Sequence, residues 1–323
     1  IEAVSSGSSE GAVEASVEAG IDVTEAIQAS SSGATAGTIE AAVEAGIDID
    51  QSVESAAAGS TKGVIESVSG NGDNPRIVIT LEDIDLAENG TVNDGIISTK
   101  LGLQGITELA EKIIIERDLS LLEDFNCRYH ISQISSAKSI EVIKKRKNDV
   151  NFTTGVSINN LSLNENDIGD FRTFLKLSPP LRTEDDRLSL VEALNKNLID
   201  VIVSDHKPED EESKRLTFAQ AATGASGVET LLPLALELYH NESVKLFKII
   251  ETLTSNPAKI LNIDKGNLSI GNDADFCVVD INKPWIVKKE KLISKSKNTS
   301  IENKKLQGKV LNTYIKGEEL YKL

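Results

Sequence analysis

The sequence predicts an α/β fold built on a parallel sheet, with an acidic repeat in front and a β-rich piece behind. Three observations carry that prediction. Short apolar runs alternate with longer helical patterns from residue 76 to about 264, the signature of strand–helix–strand units. The strand Asp200–Val203 (DVIV) runs directly into Asp205 and His206, which is how a parallel barrel delivers chemical groups to its C-terminal face. From Leu268 onward the text turns to strands, DADFCVVD and then KVLNTYIKGEEL.

Residues 1–75 stand apart. GAVEASVEAGIDVTEAIQASSSG begins at Gly11, GTIEAAVEAGIDIDQSVESAAAG at Gly37 and GVIESVSG at Gly63, a period of 26. Ile39, Val43 and Ile47 share one helical face, and Gly20 and Gly46 read as helix stops. Two readings stay open: a helical repeat stacked as a short solenoid, or an acidic tail too poor in apolar area to order itself. The segment holds thirteen acids against Lys62, so −12 of the net −17 charge sits there. No catalytic residue type recurs in it. Asn71-Gly72-Asp73-Asn74-Pro75 is a turn cluster and a predicted domain boundary.

Beyond it, strands are predicted at Arg76–Thr80, Arg128–Ser132, Asn151–Val156 and Asp200–Val203. Helices are predicted at Thr107–Glu116, Lys138–Lys147, Thr183–Leu194, Leu216–Gln220, Val228–Tyr239 and Val244–Thr254. Thr183 is the expected N-cap of its helix, with Asp185 and Asp186 in the first turn. Four strand–helix units are half of an eight-unit barrel. Half a barrel leaves two edges of unpaired N–H and C=O groups, so an oligomer or another covering partner is expected.

Composition excludes several functions. The acidic balance argues against nucleic-acid binding. No run of 18 apolar residues exists, so no membrane span is expected. Two cysteines, Cys127 and Cys277, are too few for a disulfide framework; a reducing, cytoplasmic setting follows. The chain begins with Ile1 and contains no Met, which reads as a missing natural start.

Four motifs then occur in order: VSDHKP, GASGVETLLPL (Gly224–Leu234), TSNPAKILNI (Thr254–Ile263) and KGNLSIGNDADFCVVD (Lys265–Asp280). Together they resemble the C-terminal part of the class I dihydroorotases of the amidohydrolase superfamily, over about three quarters of the chain. The resemblance implies a partial, second-half TIM-type barrel (residues 76–264) with a small C-terminal β-sandwich piece (residues 265–323). It also implies a site that hydrolyses a cyclic amide, dihydroorotate to N-carbamoyl-aspartate or the reverse. One or two zinc ions would make hydroxide near neutral pH.

Carried over residue by residue, that site is depleted. The family's His-x-His pair has no counterpart. Thr80 stands at one metal position, with Glu82 and Asp83 retained after it, and Gln133 stands at another, three residues after His130. Asp205 is the one matching metal-site residue, vestigial or a general base. His206 matches a substrate-contacting His, and Gly224, Ala225 and Gly227 match a loop whose backbone touches substrate. Ser157-Ile158-Asn159-Asn160 replaces a His-containing loop, and Ser178 replaces a substrate-binding Asn before the retained PPLR turn (Pro179–Arg182). One carboxylate and one neighbouring His do not make the three-ligand set of catalytic zinc, so no metal is expected.

Blander readings stand beside these. An Asp–His pair after a strand is commonly a solvated loop, and without metal the two would form only a local hydrogen bond. His130 reads as a satisfied core histidine and His240 as a solvated helix C-cap. Lys288–Lys291 and Lys304-Lys305 read as solvated faces, and Gly224–Gly227 admits a phosphate cradle. The retained framework with missing ligands resembles the non-catalytic dihydroorotase homologues that associate with aspartate transcarbamoylase. The expectation is therefore a dihydroorotase-like scaffold of pyrimidine biosynthesis. The alternative is an active zinc dihydroorotase completed by another chain or by a missing N-terminal half.

Overall fold

The computed structural model describes residues 90–124 and 127–323, together with the backbone of 76–79. The acidic repeat and Thr80, Glu82 and Asp83 lie outside the described residues. The chain divides into two compact units, one formed by residues 1–83, 113–131 and 145–152, the other by 84–112, 132–144 and 153–323.

In the first unit, strand β1 (Arg76–Ile79) pairs in parallel with β4 (Arg128–Ile131), Arg76 opposite Arg128 and Ile79 opposite Ile131. Parallel pairing needs a long crossover. Tyr129 and Ile131 are the buried residues of β4, while His130 is half-buried. The expected core histidine is thus corrected: strand alternation gives the inward positions to its two neighbours. The Tyr129 hydroxyl donates to Asp118 at 2.7 Å, and Arg117 pairs with the same carboxylate at 2.9 Å. Burial, then the Asp118 charge, holds the Tyr129 phenol well above its ordinary pKa.

The second unit carries the candidate site. Two short strands, β2 (Val92–Asn93) and β3 (Gly105–Ile106), pair in parallel around helix α1 (Ile96–Leu101). Helix α2 (Glu108–Leu121) runs five residues past its predicted end, and α3 spans Ala137–Arg146. Strand β5 (Phe152–Ser157) pairs in parallel with β6 (Val201–Val203). Between them lie α4 (Ile158–Ser162) and α5 (Glu184–Asn195). Thr183 caps α5 as the sequence predicts. Its hydroxyl oxygen accepts from the Asp186 N–H at 3.2 Å, and the Asp186 carboxylate accepts from the Thr183 N–H in return.

Two helix predictions need correction. The stretch 216–220 forms turns, and the helix there is α6 (Glu211–Lys214), one turn started by Asp210. Five residues cannot nucleate a helix without tertiary support. Helix α7 begins at Leu231 and ends at His240, because the Val228 N–H lies 3.4 Å from the His206 ring nitrogen. Helix α8 (Leu246–Leu253) matches expectation, and α9 (Ser255–Leu261) is additional. Pro257 sits in the first turn of α9, where its missing N–H costs nothing.

The C-terminal piece is one antiparallel sheet of three strands, β7 (Phe276–Ile286), β8 (Lys305–Ile315) and β9 (Glu318–Lys322). Lys316 and Gly317, both at positive φ, make the tight turn between β8 and β9. The expected sandwich therefore appears as a single sheet among the described residues. His240 is not a solvated cap: its Nε2 lies 2.9 Å from the Ile281 carbonyl in β7. Lys304 also has a structural partner, Glu237 at 2.7 Å.

A buried polar chain holds the strand ends together. The Glu111 carboxylate accepts from the Ser135 and Ser136 N–H groups at 2.9 and 3.1 Å, and from the Ser135 hydroxyl. Ser135 Oγ accepts from Arg182 Nε at 3.1 Å. The same guanidinium donates to the Asn93 side chain at 2.9 Å and to the Ile106 carbonyl. Asn93 in turn donates to Glu165 at 2.7 Å. Burial pushes the Arg182 pKa down and Glu111 pulls it back. The two charges do not touch: the Ser135 hydroxyl lies between them, accepting from Arg182 and donating to Glu111.

Removing the guanidinium would leave the Ser135 hydroxyl, the Asn93 side-chain oxygen and the Ile106 carbonyl without that donor. Arg182→Met is expected to lower the unfolding free energy by about 1–3 kcal/mol, read as a lower urea midpoint at unchanged slope. An unshifted midpoint would show that the chain of bonds contributes nothing net.

Candidate functional site

Three segments following strand ends converge on Asp205. Asp205 lies two residues beyond β6, Ser157 is the last residue of β5, and Gln133 lies two residues beyond β4. The Asp205 side chain is buried at 6 % exposure. Its Oδ1 accepts from Gln133 Nε2 at 3.1 Å, and its Oδ2 from the Ser157 hydroxyl at 3.4 Å. The backbone there is left-handed, φ 48°, a conformation Asp tolerates better than most residues. This carboxylate is held by two other segments, so the solvated-loop reading fails.

His206 faces the glycine loop. Its Nδ1 accepts from the Gly227 N–H at 3.1 Å. A neutral ring with that lone pair in use carries its proton on Nε2, which leaves Nε2–H free to donate. Backbone pairing joins His206 to Ala225, and the Lys207 N–H donates to the Ala225 carbonyl at 3.0 Å. Gly227 is required by close approach: a Cβ there would lie 2.3 Å from the Ser204 carbonyl oxygen. Gly224, at φ 135°, would meet Lys207 at 2.6 Å.

The phosphate-cradle reading of Gly224–Gly227 fails on its donors. The Gly224 N–H serves the Lys176 carbonyl at 2.9 Å, the Ser226 N–H serves the Asn298 carbonyl at 3.2 Å, and the Gly227 N–H serves His206. An anion nest needs such donors turned outward.

Residues that sequence reasoning missed hold this loop. Asn298, 3 % exposed, donates to the Gly224 carbonyl at 3.1 Å, and its Oδ1 accepts from the Ser226 hydroxyl at 3.1 Å. Ser300 donates to Asn159 at 2.9 Å. A signal existed: SKSKNTS (Ser294–Ser300) is a polar run inside an otherwise β-rich stretch. Lys214 is also part of the loop's support, 2 % exposed, its Nζ donating to the Ala222 carbonyl at 2.6 Å.

Among the described residues the donor set does not by itself fit a catalytic zinc. Gln133, at a metal position by resemblance, turns an N–H toward the Asp205 oxygen that a cation would need. Among the described residues no three His, Cys, Asp or Glu side chains converge. Catalytic zinc takes three protein ligands. Thr80 lies outside the described residues.

Burial pushes the Lys214 ammonium down to about 8; Glu209 opposes the shift and Lys176 adds to it. An unfolded chain keeps that proton up to the ordinary lysine value of 10.5. Between those values the unfolded state binds more protons, so stability rises with pH across the window. Thermal midpoints measured from pH 8 to 10.5 should climb more steeply in the native chain than in Lys214→Met. Parallel curves would refute the assignment.

Comparison with known proteins adds the following. A profile described as the amidohydrolase family matches residues 84–320. The chain is 42 % identical over 242 residues to a dihydroorotase of Ehrlichia canis, covering 74 % of this chain and 54 % of that protein. It is 39 % identical over 242 residues to a dihydroorotase of Wolbachia sp. subsp. Drosophila simulans, covering 74 % and 55 %. The chain thus spans about half the length of the curated relatives it matches. Among solved structures it is similar to an L-hydantoinase (dihydropyrimidinase) from Arthrobacter aurescens. That match has a TM-score of 0.71 and 24 % identity, covering 82 % of this chain and 60 % of the other. A dihydropyrimidinase from Brevibacillus agri gives 0.70 and 19 %, covering 81 % and 59 %. These likenesses show the fold, and no helix among the described residues is long and apolar enough to cross a membrane. The matched profile covers residues 84–320, well over half of the chain, and on that extent the chain belongs to the amidohydrolase family.

Proposed function

We propose that this chain is a dihydroorotase-like scaffold of pyrimidine biosynthesis, without turnover of its own, that supports assembly of aspartate transcarbamoylase. One observation carries the absence of turnover. The Asp205 carboxylate is engaged by a Gln133 amide where a hydrolytic site needs a metal ligand. A primary amide is neither anionic nor an imidazole, and it cannot hold a cation against water. Similarity to dihydroorotases supports the pathway. Large apolar side chains left in solvent, Phe247 and Ile270 among them, are consistent with a protein that works against a partner.

The retained groups have roles in this reading. His206 Nε2–H is the donor left for a dihydroorotate-like ligand, and the Gly224, Ala225 and Gly227 loop, its N–H groups at Gly224 and Gly227 spent internally, shapes the surface beside it. Asp205 anchors the strand ends beneath it.

A second reading is favoured by the care with which Asp205 is kept. It is buried, left-handed and doubly hydrogen-bonded, as a general base awaiting a metal would be. In that reading donors from another chain, or from further sequence, complete a zinc dihydroorotase.

Metal analysis of the purified chain, followed by a dihydroorotate hydrolysis assay with and without added zinc, separates the two. The scaffold reading expects well under one zinc per chain and no rate. Stoichiometric zinc with turnover would end it. Asp205→Ala should leave the background rate unchanged in the scaffold and abolish the rate in a completed enzyme. Sedimentation of the chain mixed with aspartate transcarbamoylase should yield a heavier species; two independent boundaries would remove the partner.

A further inference from the structure

We propose that Lys214 is a positioning residue whose ammonium, bound to the Ala222 carbonyl, sets the backbone of Gly224–Gly227 against His206. Three sets of contacts carry this.

Lys214 is the largest fully buried side chain among the described residues. Its long stem lies inside the protein, and it ends on a backbone carbonyl rather than on a carboxylate. A charge-assisted bond to a carbonyl is strong in such surroundings. Removing the donor would leave that carbonyl to find another partner.

Ala222 is gripped at both ends. Its N–H donates to the Ser213 carbonyl at 3.1 Å, and its carbonyl receives Lys214 at 2.6 Å. Lys214 itself is fixed by the Thr173 hydroxyl, which donates to its carbonyl at 2.5 Å. Helix α6 is thus a short peg that locates one point of the loop.

The next residues are the ones that meet the Asp–His turn. Gly224 bonds the Lys176 carbonyl, Ala225 pairs with His206, and Gly227 donates to His206 Nδ1. Lys176 extends the support by donating from Nζ to the Ala219 carbonyl at 2.8 Å. Two amines therefore hold the 215–224 segment by its carbonyls. Inside the segment only Thr217 makes local bonds, to the Gln220 and Ala221 N–H groups and the Gln220 side chain. A shift of Ala222 reaches Gly224 two residues on, and five residues on the Gly227 N–H that bonds His206 Nδ1.

The consequence for ligand binding rests on the reading of Gly224, Ala225 and Gly227 as substrate contacts; the positioning itself does not. Hydrogen exchange on the full chain tests the latter. In Lys214→Met, which keeps length and burial but removes the donor, exchange at Gly224 and Gly227 should rise by about tenfold or more. Amides of Leu236 and Ile249 should stay within twofold. The His206 Nδ1 nitrogen resonance should move toward that of a ring lacking an acceptor bond, and Lys214→Arg should restore much of both signals. Unchanged exchange at Gly224 and Gly227, or a rise equal to that at Leu236 and Ile249, would overturn the proposal.

The unaltered chain gives a second measurement that needs no variant. The Lys214 ammonium protons should be protected from solvent and coupled across the bond to the Ala222 carbonyl. A freely exchanging ammonium would overturn the proposal equally. Calorimetric titration with L-dihydroorotate then addresses the site. Weaker binding by Lys214→Met than by the native chain supports the link to the loop. No binding by the native chain removes the substrate reading while the exchange result still decides the positioning.

Discussion

The Glu111 carboxylate is the constraint on which the candidate site depends. It lies buried, and it gathers two consecutive backbone N–H groups and two serine hydroxyls from Ser135 and Ser136. A buried carboxylate left to itself would take up a proton or be expelled to water. Here the donors of one segment make burial tolerable, and Arg182 binds the far side of the Ser135 hydroxyl. The price is rigidity: neither the 132–136 segment nor the turn ending at Arg182 can move alone. Gln133 belongs to that segment, so its amide faces Asp205 because Glu111 holds Ser135.

The same constraint explains the chemistry that the site lacks. Strand ends in this fold present side chains toward a common centre. In this chain the side chains that arrive are an amide, a hydroxyl and one carboxylate. They satisfy one another through hydrogen bonds. A cation would have to displace the Gln133 N–H and would meet no second anion among these three groups. What survives is recognition-grade structure: a histidine of defined tautomer and a glycine loop pressed against it.

Particular residues show how far the sequence could be read. Thr183 with Asp186 three positions on is a local capping signal, and it caps. The apolar strand before Asp205 is equally local, and Asp205 emerges where expected. Leu216–Gln220 misled because the one-turn helix forms just before it, at Glu211–Lys214, where Asp210 supplies the cap. His130 misled because strand alternation alone cannot tell which face is inward; Tyr129 bonding Asp118 decides it. The polar run around Asn298 marks it as unusual but not its partners, because Gly224 and Ser226 lie more than seventy residues away. No periodicity reports a contact of that range.

The amino-acid order by itself determined the alternation of elements, the caps, the barrel-like family text and the small stock of imidazoles, three in all. These are properties of neighbours in the chain, where a few residues and their spacing carry the whole physical cause. Only the tertiary structure decided that Gln133 bonds Asp205, that His206 accepts from Gly227, and that Lys214 and Asn298 hold the loop between them. Each joins segments distant in sequence, and its energy exists only after folding has removed both partners from water.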